Sequence, residues 1–99
     1  MAAKKNRKPK REYVLVRTYS AGIHVGELVK RSGKEVELSR ARRIWYWKGA
    51  NTLNEISLRG VGQGSKVSEE VASLVLTEAI EILKCSAEGE RNLRAVGWS

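Results

Sequence analysis

The residues with the most evident binding chemistry lie in one stretch, from Ser39 to Ala50, which reads Ser-Arg-Ala-Arg-Arg-Ile-Trp-Tyr-Trp-Lys-Gly-Ala. It holds two of the three tryptophans and is interleaved with arginine and lysine. Arginine and tryptophan dominate binding hot spots, and both stack on nucleobases. Because protein cores use the same aromatic residues, a strand buried on both sides is the alternative interpretation.

The alternation of side chains along a strand divides this stretch between two faces. One face would carry Arg43, Trp45 and Trp47, and the opposite face would carry Arg42, Ile44, Tyr46 and Lys48. Both faces contain large apolar groups. We therefore expect one face to fill the core and the other to contact a ligand, another chain or a second layer of the same protein.

The length and composition limit the possible classes of protein. Ninety-nine residues are enough for one domain with a modest core. No apolar run is long enough to span a bilayer, and no signal peptide is recognisable. Cys85 and His24 are the only cysteine and the only histidine. We therefore expect no internal disulfide, no metal and no cofactor, a reducing cytoplasm as the location, and Cys85 as a small buried hydrophobic residue.

The net charge of +8 is concentrated at the start of the chain. Residues 1–11 contain six cations and no acid, whereas the other thirteen cations are nearly balanced by eleven glutamates. The six cations are Lys4, Lys5, Arg7, Lys8, Lys10 and Arg11. We predict a disordered basic arm over residues 1–12 and a single small β-rich domain over residues 13–99. Such an arm favours non-specific contact with nucleic acid, or serves only to keep the protein soluble.

The first half of the chain has the pattern of short strands separated by turns. Strands are predicted at residues 13–19, 23–31, 35–38 and 42–47, with turns at 20–22 and 32–34. Gly26, within a predicted strand, indicates a bulge or a close approach to the backbone. The expected fold class is α+β and mostly β, a small antiparallel meander or partly closed barrel with one or two short helices.

The second half is less uniform. Asn51 or Thr52 can cap a short helix that ends at Gly60 and directs residues 53, 56 and 58 inward. Residues 60–66 resemble a phosphate-binding loop only superficially, because glycine and lysine are not adjacent and the loop follows a helix. Residues 71–83 fit either a helical stripe or two strands. Ser86 is a candidate cap for a second helix, and residues 96 and 98 can return to the sheet.

The chain has few of the residues that catalysis uses. It contains no aspartate, and its glutamates are not grouped in sequence with His24 or Cys85. No nucleophile elbow, metalloprotease motif or pair of zinc-ligand groups is present. These observations favour a binding protein over an enzyme.

Three blocks of sequence resemble a family of small uncharacterised proteins encoded by phages and prophages. The blocks are residues 13–24, residues 41–50, and residues 76–82 followed by Cys85. The resemblance covers residues 13–85 and favours strands over residues 72–83. The same blocks are similar to the phage anti-Thoeris protein that sequesters cyclic ADP-ribose signals. That resemblance implies a non-enzymatic anti-defence protein of the host cytoplasm, a homo-oligomer that holds a cyclic nucleotide between its subunits.

The residue types near the Arg/Trp stretch are compatible with such a ligand, which needs aromatic faces for its base and cationic groups for its diphosphate. The candidate ligand-binding residues are Arg17, Tyr19, Ser20, Gly22, His24, Arg42, Arg43, Trp45 and Trp47. Two other functions fit the same residues. One is a phage nucleic-acid-binding accessory protein that uses the arm and the aromatic strand. The other is a phage inhibitor or structural protein that binds a protein partner. No membrane contact is expected.

Overall fold

The computed structural model describes residues 11–99 as one antiparallel sheet with two helices. The strands are β1 (Tyr13–Thr18), β2 (Ile23–Ser32), β3 (Glu35–Tyr46), β4 (Lys66–Val67), β5 (Val71–Leu76) and β6 (Ala79–Lys84), and the helices are α1 (Leu53–Arg59) and α2 (Ala87–Ala95). The six-stranded sheet is not closed, and the predicted mostly-β class is confirmed. The predicted arm, including Lys4, Lys5, Arg7, Lys8 and Lys10, lies outside the described residues apart from residues 11 and 12.

Strand β3 is the centre of the sheet. Along one edge it pairs with β2, and along the other it pairs first with β5, from Val36 to Ala41, and then with β4, from Ile44 to Tyr46. The remaining order continues from β2 through β1 to β6. Strand β6 is therefore at one edge of the sheet, whereas β4 and β5 share the other edge. Only Thr77 and Glu78 separate β5 from β6 in sequence.

The prediction of two strands at 35–38 and 42–47 is wrong, because β3 is continuous across both. Arg40 has a φ of 49°, and the pairing with β2 slips opposite it, between Val25 and Glu27. Gly26 lies at this slip, where a Cβ atom would be 3.0 Å from the Ser39 carbonyl oxygen. A bulge in β3 thus absorbs an extra residue and bends the strand without ending it.

The two faces of the sheet contribute to two separate cores. The helix-covered core contains Tyr13, Leu15, Val25, Ile44, Ile56, Val61, Val67 and Leu93. The open core contains Val14, Val16, Val36, Leu38, Ala41 and Leu76, all of them strand residues in the described part of the chain. Successive residues of β1 alternate between the two cores, as the two-residue period of a strand requires.

The distal part of the β2–β3 hairpin folds back toward β1. Val36 and Leu38, near the hairpin tip, share the open core with Val14 and Val16 of β1. The Ala79 N–H donates to the Lys34 carbonyl at 3.0 Å, and the Tyr19 N–H donates to the Glu78 carbonyl at 2.9 Å. These bonds hold the link between β5 and β6 against both the β1–β2 turn and the β2–β3 turn. The sheet is therefore curled, although it does not close.

The helix boundaries follow their caps. The Thr52 hydroxyl accepts from the Glu55 N–H at the start of α1, and Gly60 ends that helix with a φ of 85°. The Ser86 hydroxyl accepts from the Gly89 N–H at the start of α2. Both caps agree with the sequence-based expectation, but Leu58 of α1 is exposed instead of facing inward.

The ambiguous segment at 71–83 forms the two strands β5 and β6, so the helical interpretation is wrong there. The strand interpretation is confirmed. The segment forms strands because β5 pairs with the edge of β3 and β6 pairs with the edge of β1. After α2 the chain returns to the sheet as expected, and Trp98 bridges to Val67 of β4.

Candidate functional site

A pocket on the open-core face contains three of the predicted binding residues. It is lined by His24, Ala41, Arg42, Arg43, Ser68, Val71 and Leu74, and it has a volume of about 160 Å³. We call it the Arg43 pocket. Its walls come from β2, from β3 and from the segment that leads into β5. This volume is below the range of about 300–1,000 Å³ that is usual for small-molecule sites, so it suits one charged group of a ligand and not a whole nucleotide.

His24 forms part of the pocket wall and is only 1% exposed. Its Nε2 atom lies 2.9 Å from the Ala21 carbonyl oxygen, which only accepts hydrogen bonds, so Nε2 carries the proton. Nδ1 is then an acceptor, and it has no hydrogen-bond partner among residues 11–99. Burial lowers the pKa of His24 below its usual value of 6.5, and the nearby charge of Arg43 lowers it further. The ring is therefore neutral at pH 7.

Arg42 has a structural role. It is 5% exposed, and the register places its side chain beside Val25 on the helix-covered face. Its Nε donates to the Ser68 carbonyl at 2.9 Å, and Nη1 donates to the Leu93 carbonyl at 2.6 Å. Arg42 thus ties β3 to α2 and to the segment before β5. Its positive charge is buried beside the pocket and, within residues 11–99, it forms no ion pair.

Arg43 is the cation that is available to a ligand. It pairs directly with His24 across the β2–β3 ladder, and its side chain is exposed. No carboxylate in the described part of the chain lies within ion-pair distance of its guanidinium. Its backbone N–H donates to the Ser68 hydroxyl oxygen at 2.8 Å. The strand is therefore held in place while the guanidinium stays accessible.

Trp45 follows two residues after Arg43 on the same face of β3, roughly 7 Å further along the strand. It is 54% exposed, and its indole N–H donates to the Ser99 carbonyl at 3.3 Å. The Lys66 ammonium lies 5.7 Å from the centre of its ring. The indole therefore has a fixed orientation and a second cation beside it, and a stacking ligand must use the ring face away from Lys66 or displace that side chain.

The turn between β1 and β2 holds three more of the predicted residues. Gly22 has a φ of 86°, and its carbonyl accepts from the Thr18 N–H at 3.0 Å. The Ser20 hydroxyl donates to the Glu78 carboxylate at 2.5 Å, so it is already engaged. Tyr19 is largely exposed at the tip of the turn. The turn adjoins the pocket through the bond between Ala21 and His24.

The structure does not bring the other two predicted residues to the pocket. The register pairs Arg17 with Ile23, whereas Val16 pairs with His24, so Arg17 is on the opposite face of β1, where it forms an ion pair with Glu81 at 3.6 Å. Trp47 lies beyond the end of β3 and packs against the helix-covered core. Residues 43, 45 and 47 were predicted to share one face, but the strand ends at Tyr46, so its alternation does not extend to Trp47.

Two residues at the site were missed from the sequence. Ser68 binds the backbone of Arg43, and Lys66 contacts Trp45. Both reach the site because β4 pairs with the end of β3 across about twenty residues of sequence. Strand β4 is only two residues long, which is too short for the sequence to identify it.

Neither a metal-binding cluster nor an activated thiol is found among residues 11–99. Within residues 11–99 no three His, Cys, Asp or Glu side chains form a cluster that could hold a metal ion. Burial raises the pKa of the Cys85 thiol to about 12, so the reactive thiolate is scarce at neutral pH. In the same part of the chain, no helix has the length and apolar character needed to cross a membrane.

The chain belongs to the family defined by the DUF6948 domain of unknown function, whose model matches residues 11–93. No curated protein and no solved structure matches the chain. The matched segment contains both cores and every residue that lines the Arg43 pocket.

Proposed function

We propose that this member of the DUF6948 family binds a small anionic nucleotide at the Arg43 pocket and does not transform it chemically. The observation that carries the proposal is the exposed guanidinium of Arg43, which has no carboxylate partner among residues 11–99. The arginines that do form ion pairs in this part of the chain are Arg17, Arg40 and Arg94, and none of them lines the pocket. A phosphate group is the natural bidentate partner for such a side chain.

The surroundings of Arg43 favour a nucleotide over a simple anion. Trp45, two residues further along β3, offers an exposed aromatic surface on which a base can stack. Lys66 adds a second cation. The small volume of the pocket supports a binding mode in which the phosphate enters it and the base stays outside against the indole.

The biological role that we propose is sequestration of a cyclic nucleotide immune signal of the cyclic ADP-ribose type, in the host cytoplasm, by a phage-encoded homo-oligomer. The resemblance of residues 13–24 and 41–50 to phage proteins supports this role. Within residues 11–99 no group of three His, Cys, Asp or Glu side chains could hold a catalytic metal ion, which fits sequestration, because a protein that only binds its ligand needs none.

Calorimetric titration of the full chain with cyclic ADP-ribose isomers tests this proposal. Replacing Arg43 with alanine removes a charged hydrogen-bond donor, so we expect a loss of about 1.5–3 kcal/mol in binding free energy with little change in melting temperature. Arg31→Ala is the matched control, because Arg31 is an exposed arginine on β2 away from the pocket. Equal loss of binding in both variants, or no binding by the unmodified protein, would contradict the proposal.

Chromatography of the ligand released from the complex separates binding from catalysis. Intact nucleotide after prolonged incubation is the expected result. A processed product would show that the protein is an enzyme.

The six cations in residues 1–11 favour a second candidate function, the binding of nucleic acid. Short single-stranded DNA is the probe for it. Affinity that falls steeply with salt, and that is lost when residues 1–10 are deleted but retained in Arg43→Ala, would support this alternative. The nucleotide proposal expects the opposite pattern with cyclic ADP-ribose isomers, since the arm is not required for a pocket on β3.

A further inference from the structure

Strand β5 has an unusual free edge. One edge pairs with β3, from Val71 opposite Ala41 to Leu76 opposite Val36. The other edge receives no hydrogen bond from residues 11–99. Its sequence, Val-Ala-Ser-Leu-Val-Leu, contains no charge, no proline and no bulge, and Val71 and Val75 are about half exposed.

The other free edges of the sheet are protected in the usual ways. Strand β6 carries Glu81 and Lys84, each of which forms an ion pair. Strand β4 is only two residues long. Proteins normally protect exposed edges by charge, by proline, by short length or by bulges, because an unprotected edge pairs with other chains. Strand β5 has none of these protections, so its exposed edge requires a partner.

We propose that β5 is a self-association surface, on which the β5 strand of a second copy pairs antiparallel across a two-fold axis. An isologous contact requires a surface that is complementary to itself. An uncharged strand satisfies this requirement, since its backbone groups pair and no like charges face each other within the six residues. The exposed valines of both copies would then lie on adjoining strands and be covered in part.

The basic segment at residues 1–10 is a poorer occupant of the same edge. It carries five cations, whereas β5 has no acid to receive them, and Pro9 lacks the N–H that a strand ladder needs. The acids nearest to β5 lie just outside it, at Glu70 and Glu78. In an antiparallel pair the beginning of one strand meets the end of the other, so these glutamates approach each other. Added salt should therefore strengthen pairing through β5, whereas it should weaken docking of the basic segment.

The pairing also affects the Arg43 pocket, because Val71 and Leu74 of β5 line it. A second copy on β5 would place its own strand beside that wall. The inference about self-association does not depend on the proposed ligand, and it is tested on the protein without any nucleotide.

Sedimentation equilibrium of the full chain tests the surface directly. We expect the unmodified protein to approach twice the 11.1 kDa mass at high micromolar concentration. Ser73 is exposed at the middle of β5, where its two copies are close in any two-fold pairing. Ser73→Lys and Ser73→Glu should each weaken self-association roughly tenfold, since like charges then face each other. Asn54→Lys, at an exposed residue of α1 that shares no cavity with β5, is the control and should not change it.

An equal mixture of Ser73→Lys and Ser73→Glu should restore the dimer, because the opposed charges then attract each other. Hydrogen exchange gives a second measurement that needs no variant: β5 amides should become more protected as the unmodified protein is concentrated, while those of β1 stay constant. A monomer at every concentration, or a dimer that Ser73→Lys and Asn54→Lys affect equally, would overturn the inference. Dimerisation that weakens with salt and vanishes when residues 1–10 are deleted would also overturn it.

Discussion

The two faces of the sheet differ in how completely their polar groups are paired. On the helix-covered face, Glu27 accepts from Arg94 at 2.8 Å and from Ser39 at 3.0 Å, and Arg40 approaches it at 3.8 Å. On the open face, neither the Arg43 guanidinium nor the His24 Nδ1 atom has a partner within residues 11–99. The Nδ1 atom of His24 is buried, and buried polar groups are nearly always paired in folded proteins, so this atom, beside an exposed cation, marks the place where a ligand has room to bind.

The helix-covered face has one exception, the hydroxyl of Tyr13. Within residues 11–99 this buried atom has no hydrogen-bond partner, although the Arg94 guanidinium lies 4.6 Å from the centre of the ring. Burial is the main cause that raises the pKa of Tyr13, and the charge of Arg94 opposes it. Tyr13 differs from the open-face groups because it is a single orphan in an otherwise satisfied network and has no free cation beside it.

Truncation of a leucine in each core should give the largest difference between the two faces. Leu15 is fully buried in the helix-covered core, whereas Leu74 is half-buried at the margin of the open core. We expect Leu15→Ala to lower the free energy of unfolding by about 3–5 kcal/mol, because it leaves a cavity that the helices cannot fill. Leu74→Ala should cost about half as much. Urea denaturation of both variants measures the difference, and equal losses would show that the open core is as tightly packed as the other.

The stability of the fold should depend on pH through His24, the neutral histidine of the open face. The pKa of His24 is lower in the folded chain than its usual 6.5, so the unfolded chain binds a proton first as the pH falls. Stability should therefore decline below about pH 6.5, by up to about 1.4 kcal/mol per pH unit, until the folded pKa is reached. Since His24 is the only histidine, His24→Gln should remove this slope. A slope that persists between pH 6.5 and 5 in that variant would assign it to other groups.

The helix-covered face should respond at lower pH and by a smaller amount. The hydrogen bond from Arg94 is the main cause that lowers the pKa of Glu27, against the opposing effect of burial. A lowered carboxylate pKa stabilises the fold above the unfolded pKa, and the contribution is lost as the pH falls through the folded value. Glu27→Gln should thus cost about 1 kcal/mol at pH 7, and thermal melts should show that the difference from the unmodified protein shrinks as the pH falls below the usual carboxyl value of 4.5. A difference that stays constant or grows on acidification would contradict this assignment.

Local signals in the sequence predicted the local parts of the fold. Gly22 in the first turn, the cap at Thr52 and the cap at Ser86 were all identifiable, because each depends on residues within a few positions. The continuity of β3 through Arg40 was not, since it depends on Gly26 in the neighbouring strand leaving room for a bulge. Residues 71–83 had two valid patterns, and only the open edges of β3 and β1 decided between them.

The candidate site was predictable to a similar extent. The Arg/Trp stretch identified Arg43 and Trp45. His24 was also a predicted site residue, and it lies beside Arg43 because the two residues pair across β2 and β3. Arg17 was included because it is near His24 in sequence, but the register of the hairpin places the two on opposite faces. Lys66 and Ser68 were omitted because pairing of distant strands brings them in, and the sequence does not specify that pairing.

The position of Glu78 has a mechanical consequence. Its carbonyl holds the amide of Tyr19 and its carboxylate holds the hydroxyl of Ser20, while the following amide, of Ala79, is bonded to Lys34. The next link runs through Ala21 to the His24 ring. A displacement of β5 relative to β6 would therefore break one of these bonds or move the β1–β2 turn with it. Because Ala21 of that turn is bonded to the His24 ring, a movement at the sheet edge would also move the histidine in the pocket wall.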